Sequence, residues 1–187
     1  MTLARAAIAV LVAAAALAAC TNGIVTYRSE GAGNPSAQTY APYAAMNGTI
    51  LLVVRDNPFP NDRTNEAVLA VVNTHNPAQR YRFSLTMPPD WNGYTVVLGF
   101  GEAPVGNQSL CQNALLPLRP MPPGRMAIIA DLCYGQQLVT EAYGHSPAVG
   151  GPDDPTFQSL VSQVMTELFA ERRIFEDRGS RLSPFRF

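Results

Sequence analysis

The stretch RMAIIADLCYGQQLVTEAYG, residues 125–144, decides the fold. Two runs rich in apolar residues, 125–134 and 137–144, flank Gly135-Gln136, a dipeptide suited to a tight turn. The stretch therefore predicts two antiparallel strands joined as a hairpin. The register stays open, because a two-residue turn and a three-residue turn place different residues on each face.

Three earlier runs also predict strands. Residues 49–55 are almost continuously apolar, which suits a strand covered on both faces. Residues 80–86 alternate, with Tyr81, Phe83 and Leu85 on one side. Residues 94–100 follow a turn over residues 88–93 and also alternate, with Tyr94, Val96, Leu98 and Phe100 on one face. Such alternation predicts a sheet with one wet face.

Two segments predict helices. Asp154 and Pro155 suit an N-cap and a first helical position. An apolar stripe at helical spacing follows them: Phe157, Leu160, Val161, Val164, Leu168 and Phe169. An earlier helix is expected over residues 63–75, although its β-branched residues leave a strand as the alternative.

The order strand, helix, four strands and helix predicts an α+β fold. A right-handed strand–helix–strand crossover followed by antiparallel hairpins gives a mixed sheet of about five strands. We expect a two-layer sandwich with both helices on one face of that sheet.

The N-terminus has the order of a secretory signal peptide. Arg5 precedes an apolar run over residues 6–16, and small residues follow at Leu17-Ala18-Ala19-Cys20. The run is too short for a comfortable membrane span, and an ordinary apolar helix is the alternative. The four residues resemble the lipobox of bacterial lipoproteins, which implies cleavage before Cys20 and a membrane anchor of fatty acids on it. Thr21 stands where an inner-membrane retention signal has Asp, so we expect the outer membrane, facing the periplasm.

The predicted organisation has four parts. A signal peptide covers residues 1–19, and a lipidated N-terminus with a flexible tether covers residues 20–47, which are rich in small and polar residues. Tyr27, Tyr40 and Tyr43 in this tether either pack on the domain or sit at the lipid interface. A single periplasmic domain covers residues 48–175, and a frayed tail covers residues 176–187.

Composition excludes several kinds of function. All 13 basic residues are Arg and the formal net charge is −1, so no basic field exists for nucleic acid. Without Lys, Schiff-base and P-loop lysine chemistry are excluded. Besides Cys20, the chain holds Cys111 and Cys133, which predict a disulfide in an oxidising compartment. Two free thiols or a redox pair are the alternatives, and neither cysteine lies in a C-x-x-C motif.

No group of residues predicts a catalytic, cofactor or metal site. His75 is expected to satisfy the end of the first helix. His145 with Ser146, or with Cys133, could form a nucleophilic pair, but no nucleophile elbow surrounds them. Turn and capping roles account for five further polar side chains: Asp56, Asn61, Asp62, Asp153 and Asp154. A calcium site is the alternative for Asp56, Asn61 and Asp62.

One surface is a candidate for binding a protein. Arg80 and Arg82, with Asp131, are expected on the uncovered face of the sheet, near an edge strand. Such a face can receive a partner, including by strand addition, while a merely solvated face is the alternative.

Several short motifs resemble an uncharacterised family of proteobacterial lipoproteins over residues 48–170. They are Asn57-Pro58-Phe59-Pro60, Cys133-Tyr134-Gly135, Glu141-Ala142, Asp154-Pro155-Thr156-Phe157 and Leu168-Phe169. The resemblance implies lipidation and one periplasmic domain, and it brings no activity. The sequence therefore predicts a non-enzymatic binding or envelope-assembly lipoprotein with an envelope protein as partner. A carrier of lipid or a small molecule, with a pocket between sheet and helices, is the alternative, and a hydrolase is a weaker third.

Overall fold

The computed structural model describes residues 23–29, 48–59, 65–75, 82–89, 91–102, 109–112 and 117–170. Within these ranges the chain forms six strands and two helices. They are β1 (Val25–Arg28), β2 (Thr49–Arg55), α1 (Asn65–Thr74), β3 (Arg82–Ser84), β4 (Tyr94–Phe100), β5 (Arg125–Tyr134), β6 (Gln137–Pro147) and α2 (Pro155–Phe169). The predicted signal peptide, Cys20, Arg80 and the predicted tail lie outside the described residues.

All six strands belong to one mixed sheet in the order β1-β6-β5-β4-β2-β3. Strand β2 is parallel to both β3 and β4, and the other neighbouring pairs are antiparallel. Both helices contribute to one core on the same side of this sheet. The predicted α+β sandwich with a mixed sheet and two helices on one face is confirmed.

The sixth strand is β1, and the prediction of a flexible tether is wrong for these four residues. Val25–Arg28 lies within the predicted tether but pairs antiparallel with β6, with Val25 opposite His145 and Tyr27 opposite Tyr143. Four residues are too few to show a period of two above a polar background. Pairing with the long strand β6 makes this segment a strand.

The hairpin of β5 and β6 has a β-bulge that breaks its register. Asp131 pairs with Glu141 and Leu132 with Thr140, but Cys133 pairs with Leu138. Strand β6 also continues to Pro147, three residues beyond the predicted strand end at residue 144. Strand β5 pairs with all three residues of this extension, and β1 pairs with the first of them, His145.

The start and the buried face of α2 are determined by its own sequence. The Asp154 carboxylate accepts hydrogen bonds from the backbone N–H of Thr156 at 2.8 Å and of Gly150 at 3.0 Å, and Pro155 follows it. These two bonds lower the pKa of Asp154. The buried residues of α2 are Phe157, Leu160, Val161, Val164, Met165 and Leu168. In α1, Val68, Val71 and Val72 are buried, so their β-branched side chains do not prevent the helix.

Candidate functional site

The candidate site lies on the face of the sheet opposite the helices. Side chains alternate along a strand, so every second residue points to this face. They include Val97 of β4, together with Ile129 and Cys133 of β5. They form a second, smaller core with Leu110, and Leu118 packs against it. The expected uncovered face is therefore covered in its middle by residues from the long connection between β4 and β5.

A disulfide between Cys111 and Cys133 ties this connection to β5, which confirms the predicted bridge. The Cα atoms of the two cysteines are 5.5 Å apart. Cys133 is 1% exposed and neighbouring Leu110 is also 1% exposed. The bridge thus fixes a buried turn of residues 109–112 against the sheet.

Beneath this turn lies a fully buried carboxyl group, that of Asp131. Its Oδ2 accepts a hydrogen bond of 2.7 Å from the backbone N–H of Leu110. Its Oδ1 has no hydrogen-bond donor among the residues that the structure describes. Sγ of Cys111 lies 3.9 Å from Oδ2, and this is a contact only, because a disulfide sulfur carries no proton.

Glu141 lies directly opposite Asp131 on β6 and is 6% exposed. Burial, followed by the charge of Glu141, raises the pKa of Asp131 from 3.8 to about 8, although the amides of Leu110 and Cys111 act in the other direction. A protonated Asp131 can donate from Oδ1 to Glu141, which satisfies the otherwise unpartnered atom. The burial of Asp131 and the charge of Glu141 therefore favour the protonated form of Asp131.

Tyr143 extends this pair toward the edge of the sheet. It lies two residues beyond Glu141 on the same face of β6, and its hydroxyl donates to the Glu141 carboxylate. Burial, and then this hydrogen bond, raise the pKa of Tyr143 above its usual 10.0. The Tyr143 ring also stacks on Tyr27 of β1, with ring centroids 5.0 Å apart.

Two adjacent carboxyl groups can serve as a general acid and base, but only where a substrate can reach them. Here the disulfide-tied turn covers Asp131, and one of its carboxyl oxygens is already used to hold Leu110. The arrangement is suited to positioning the turn on the sheet. Sequence reasoning placed Asp131 on this face but missed Glu141 as its partner, because the pairing depends on the bulged register.

The other nucleophilic pairs considered from sequence are not brought together. His145 and Ser146 are consecutive in β6 and so point to opposite faces, and the Ser146 hydroxyl donates to the Pro147 carbonyl at 2.9 Å. Cys133 is held in the disulfide and has no thiol to activate. Among the described residues, the structure therefore does not form either of the nucleophilic pairs with His145 that the sequence suggested.

The remaining candidates have local roles. The backbone N–H of His75 donates to the Val71 carbonyl at 2.9 Å, just after α1 ends. Asp56 has a left-handed φ of 51° and lies 3.7 Å from the Arg55 guanidinium. Asn61 and Asp62 lie outside the described residues, and within the described ranges no group of three His, Cys, Asp or Glu side chains could hold a metal.

Of the proposed partner surface, Arg82 is exposed on β3 at one edge of the sheet, and Arg80 lies outside the described residues. The outward backbone of this edge is occupied at Phe83. The Asn73 side chain donates to the Phe83 carbonyl at 3.1 Å and accepts from the Phe83 N–H at 2.8 Å. A helix side chain thus takes the place that an added strand would need.

No protein-family model and no curated protein sequence matches the chain. Two similar solved structures are the PelC dodecamer from Paraburkholderia phytofirmans and a single-residue variant of it. Each is 12% identical with a TM-score of 0.43, over 79% of this chain and 99% of the other. At this identity and TM-score the similarity assigns no function. In the part of the chain that the structure describes, no helix has the length and apolarity to cross a membrane.

Proposed function

We propose that this chain is a lipoprotein anchored through Cys20 in the outer membrane and facing the periplasm, with a domain that binds an envelope partner without catalysing a reaction. The observation that carries the proposal is the Cys111–Cys133 disulfide. Structural disulfides persist in oxidising compartments such as the periplasm. The bridge thereby supports the export implied by Leu17-Ala18-Ala19-Cys20.

Incorporation of labelled fatty acid tests the anchor. Wild-type protein should take up the label and appear in the outer-membrane fraction, while the Cys20→Ala variant should take up none. A Cys111→Ala variant, which keeps Cys20, is the matched control and should still be labelled. A wild-type chain without label would contradict the proposal.

The binding role is supported by how the domain uses its polar groups. The buried carboxyl group of Asp131 holds the covering turn through Leu110, while Arg82 is exposed on β3 at one edge of the sheet. A photocrosslinker at Arg82 should trap one discrete envelope protein. The same crosslinker at Gln163, exposed on α2 in the helix layer, is the control. Absence of a specific product at position 82 would remove that face as the binding surface.

A carrier of lipid or a small molecule is the second candidate, favoured by an open groove of about 570 Å³ between β2 and the start of α1. Its lining includes Leu52, Val54, Asn65, Glu66 and Leu85. This volume lies within the usual range of ligand pockets, and apolar and polar groups meet there. Mass spectrometry of the purified protein should then detect a bound lipid or metabolite, and a Leu85→Trp variant, at a partly buried position of the lining, should lose it.

A further inference from the structure

We infer that the corner of the sheet where the start of β1 pairs with the last residues of β6 lies against the membrane surface. Val25 and Tyr27 are then in contact with the lipid interface. This inference rests on the proposed lipidation of Cys20. It replaces the expected tether with a domain that is held directly against the bilayer.

The first observation is how early the fold begins. Ile24 already packs against the main core, and Gly23 lies close to the Pro147 ring, where a Cβ on Gly23 would come within 3.1 Å of Cγ. Only Thr21, Asn22 and Gly23 separate Cys20 from Ile24. Even from Cys20 to Val25, an extended chain spans at most about 18 Å. The start of β1 must therefore stay near any lipid on Cys20.

The second observation is what this end of the sheet exposes. Val25 is 58% exposed and Tyr27 is 46% exposed, and both point to the same face of β1. The ring of Tyr27 stacks on Tyr143 and lies 5.8 Å from the His145 ring. Exposed aromatic side chains with a polar end are the residues that favour a membrane–water interface.

The third observation is a groove of about 330 Å³ beside Val25. Its lining residues are Gly23, Val25, Gly124, Arg125, His145, Ser146 and Pro147. The Arg125 side chain is exposed, so it can reach a lipid phosphate while the apolar part of the groove meets the glycerol or upper acyl region. An apolar groove with one cation at its rim matches an anionic or zwitterionic lipid headgroup.

The test uses the lipidated full chain in vesicles of phosphatidylethanolamine and phosphatidylglycerol that carry bromine near the headgroup end of the acyl chains. Trp91 is the single tryptophan, so Tyr27→Trp and Val25→Trp are each made in a Trp91→Phe background. Tyr134→Trp in the same background is the matched control. Tyr134 is 49% exposed, and it lies seven residues along β5 from Ala127, the residue paired with His145, about 23 Å away.

Brominated lipid should quench the emission of tryptophan at positions 25 and 27, with a shift to shorter wavelength, and should leave position 134 unquenched. Two reporter positions keep the test decisive if one substitution disturbs folding. Labelled fatty acid with no quenching at either position would overturn this inference and leave the proposed anchor standing. A chain without fatty acid would overturn both this inference and the proposed anchor. A photocrosslinker at position 27 that captures one protein rather than lipid would also overturn this inference, and would assign the surface around Val25 and Tyr27 to that protein.

Discussion

Asp131 and Glu141 occupy directly opposed positions on β5 and β6, and both side chains are buried beneath the disulfide-tied turn. Burial, and then the charge of Glu141, raise the pKa of Asp131 and favour its protonated form. The pair therefore couples the stability of the covered face to pH.

The first prediction is that Asp131 makes the folded protein less stable as the pH rises. Its folded-state pKa, about 8, exceeds its ordinary value of 3.8, so the folded chain binds more protons than the unfolded chain between these values. The stabilisation is fully present below about pH 4 and is lost as the pH rises through about 8. The free energy of unfolding from urea titrations should fall by on the order of a few kcal/mol over this range.

An Asp131→Asn variant tests this prediction, because the amide can still accept from Leu110 and donate to Glu141. Its free energy of unfolding should change much less between about pH 4 and pH 8 than that of the wild type. Asp154→Asn is the control. Because the pKa of Asp154 is lowered, this substitution should alter the pH dependence of stability only at acid pH. The variant should keep the wild-type slope of unfolding free energy between about pH 4 and pH 8. An Asp131→Asn variant with an unchanged slope would contradict the assignment.

The second prediction concerns the disulfide. Replacing Cys111 and Cys133 together by Ala should lower the free energy of unfolding by about 3 kcal/mol, because the bridge closes a loop of 22 residues in the unfolded chain. Reductant should destabilise the wild type by a similar amount and leave the double variant unaffected. A wild type insensitive to reductant, with denatured protein showing two free thiols, would rule out the bridge.

The third prediction concerns the Asn73 side chain, which closes the β3 edge. Asn73→Ala removes both of its hydrogen bonds to Phe83 and should cost about 1 kcal/mol of stability, since these bonds are only partly buried. The Phe83 amide should exchange its hydrogen faster, and the opened edge should favour self-association. Thr74→Ala, also exposed at the end of α1, should show neither effect. Unchanged exchange at Phe83 in Asn73→Ala would show that the contact is not formed in solution.

Much of the fold could be predicted because its signals are local. The alternation of residues 94–100 and the hairpin around Gly135-Gln136 recur in the structure as β4, β5 and β6. The cap at Asp154 and the apolar stripe after it fix α2. In each case the residues that determine the element lie within it or directly beside it in the sequence.

The missed features depend on contacts distant in sequence. Strand β1 exists because of β6, more than a hundred residues later, and its own four residues carry no distinctive pattern. Glu141 lies opposite Asp131 in only one register of the hairpin. Because the bulge at Cys133 shifts the pairing by one residue, counting outward from the turn does not give that register. The covering of the outer face depends on where a long proline-rich connection returns to the sheet.

The last prediction tests how closely α2 packs on β6. A Cβ added at Gly144 would lie 2.7 Å from Leu160 Cδ1 and would overlap Val164 Cγ2. Leu160 can move the end of its side chain, but a valine in a helix has one strongly preferred rotamer, so Val164 cannot turn away. Gly144→Ala should therefore destabilise the fold by about 1–3 kcal/mol through overpacking.

Adding Val164→Ala to Gly144→Ala should recover part of that loss. The double variant should therefore be more stable than the sum of the two single-variant changes in unfolding free energy predicts. The expected coupling is about 0.5–3 kcal/mol, measured from urea titrations of the four proteins in the cycle. Gly150→Ala is the matched control, since its Cβ would meet only Asp154 Oδ2 at 3.9 Å, and it should change stability little. Additive effects of Gly144→Ala and Val164→Ala would mean that α2 lies farther from β6 than this packing requires.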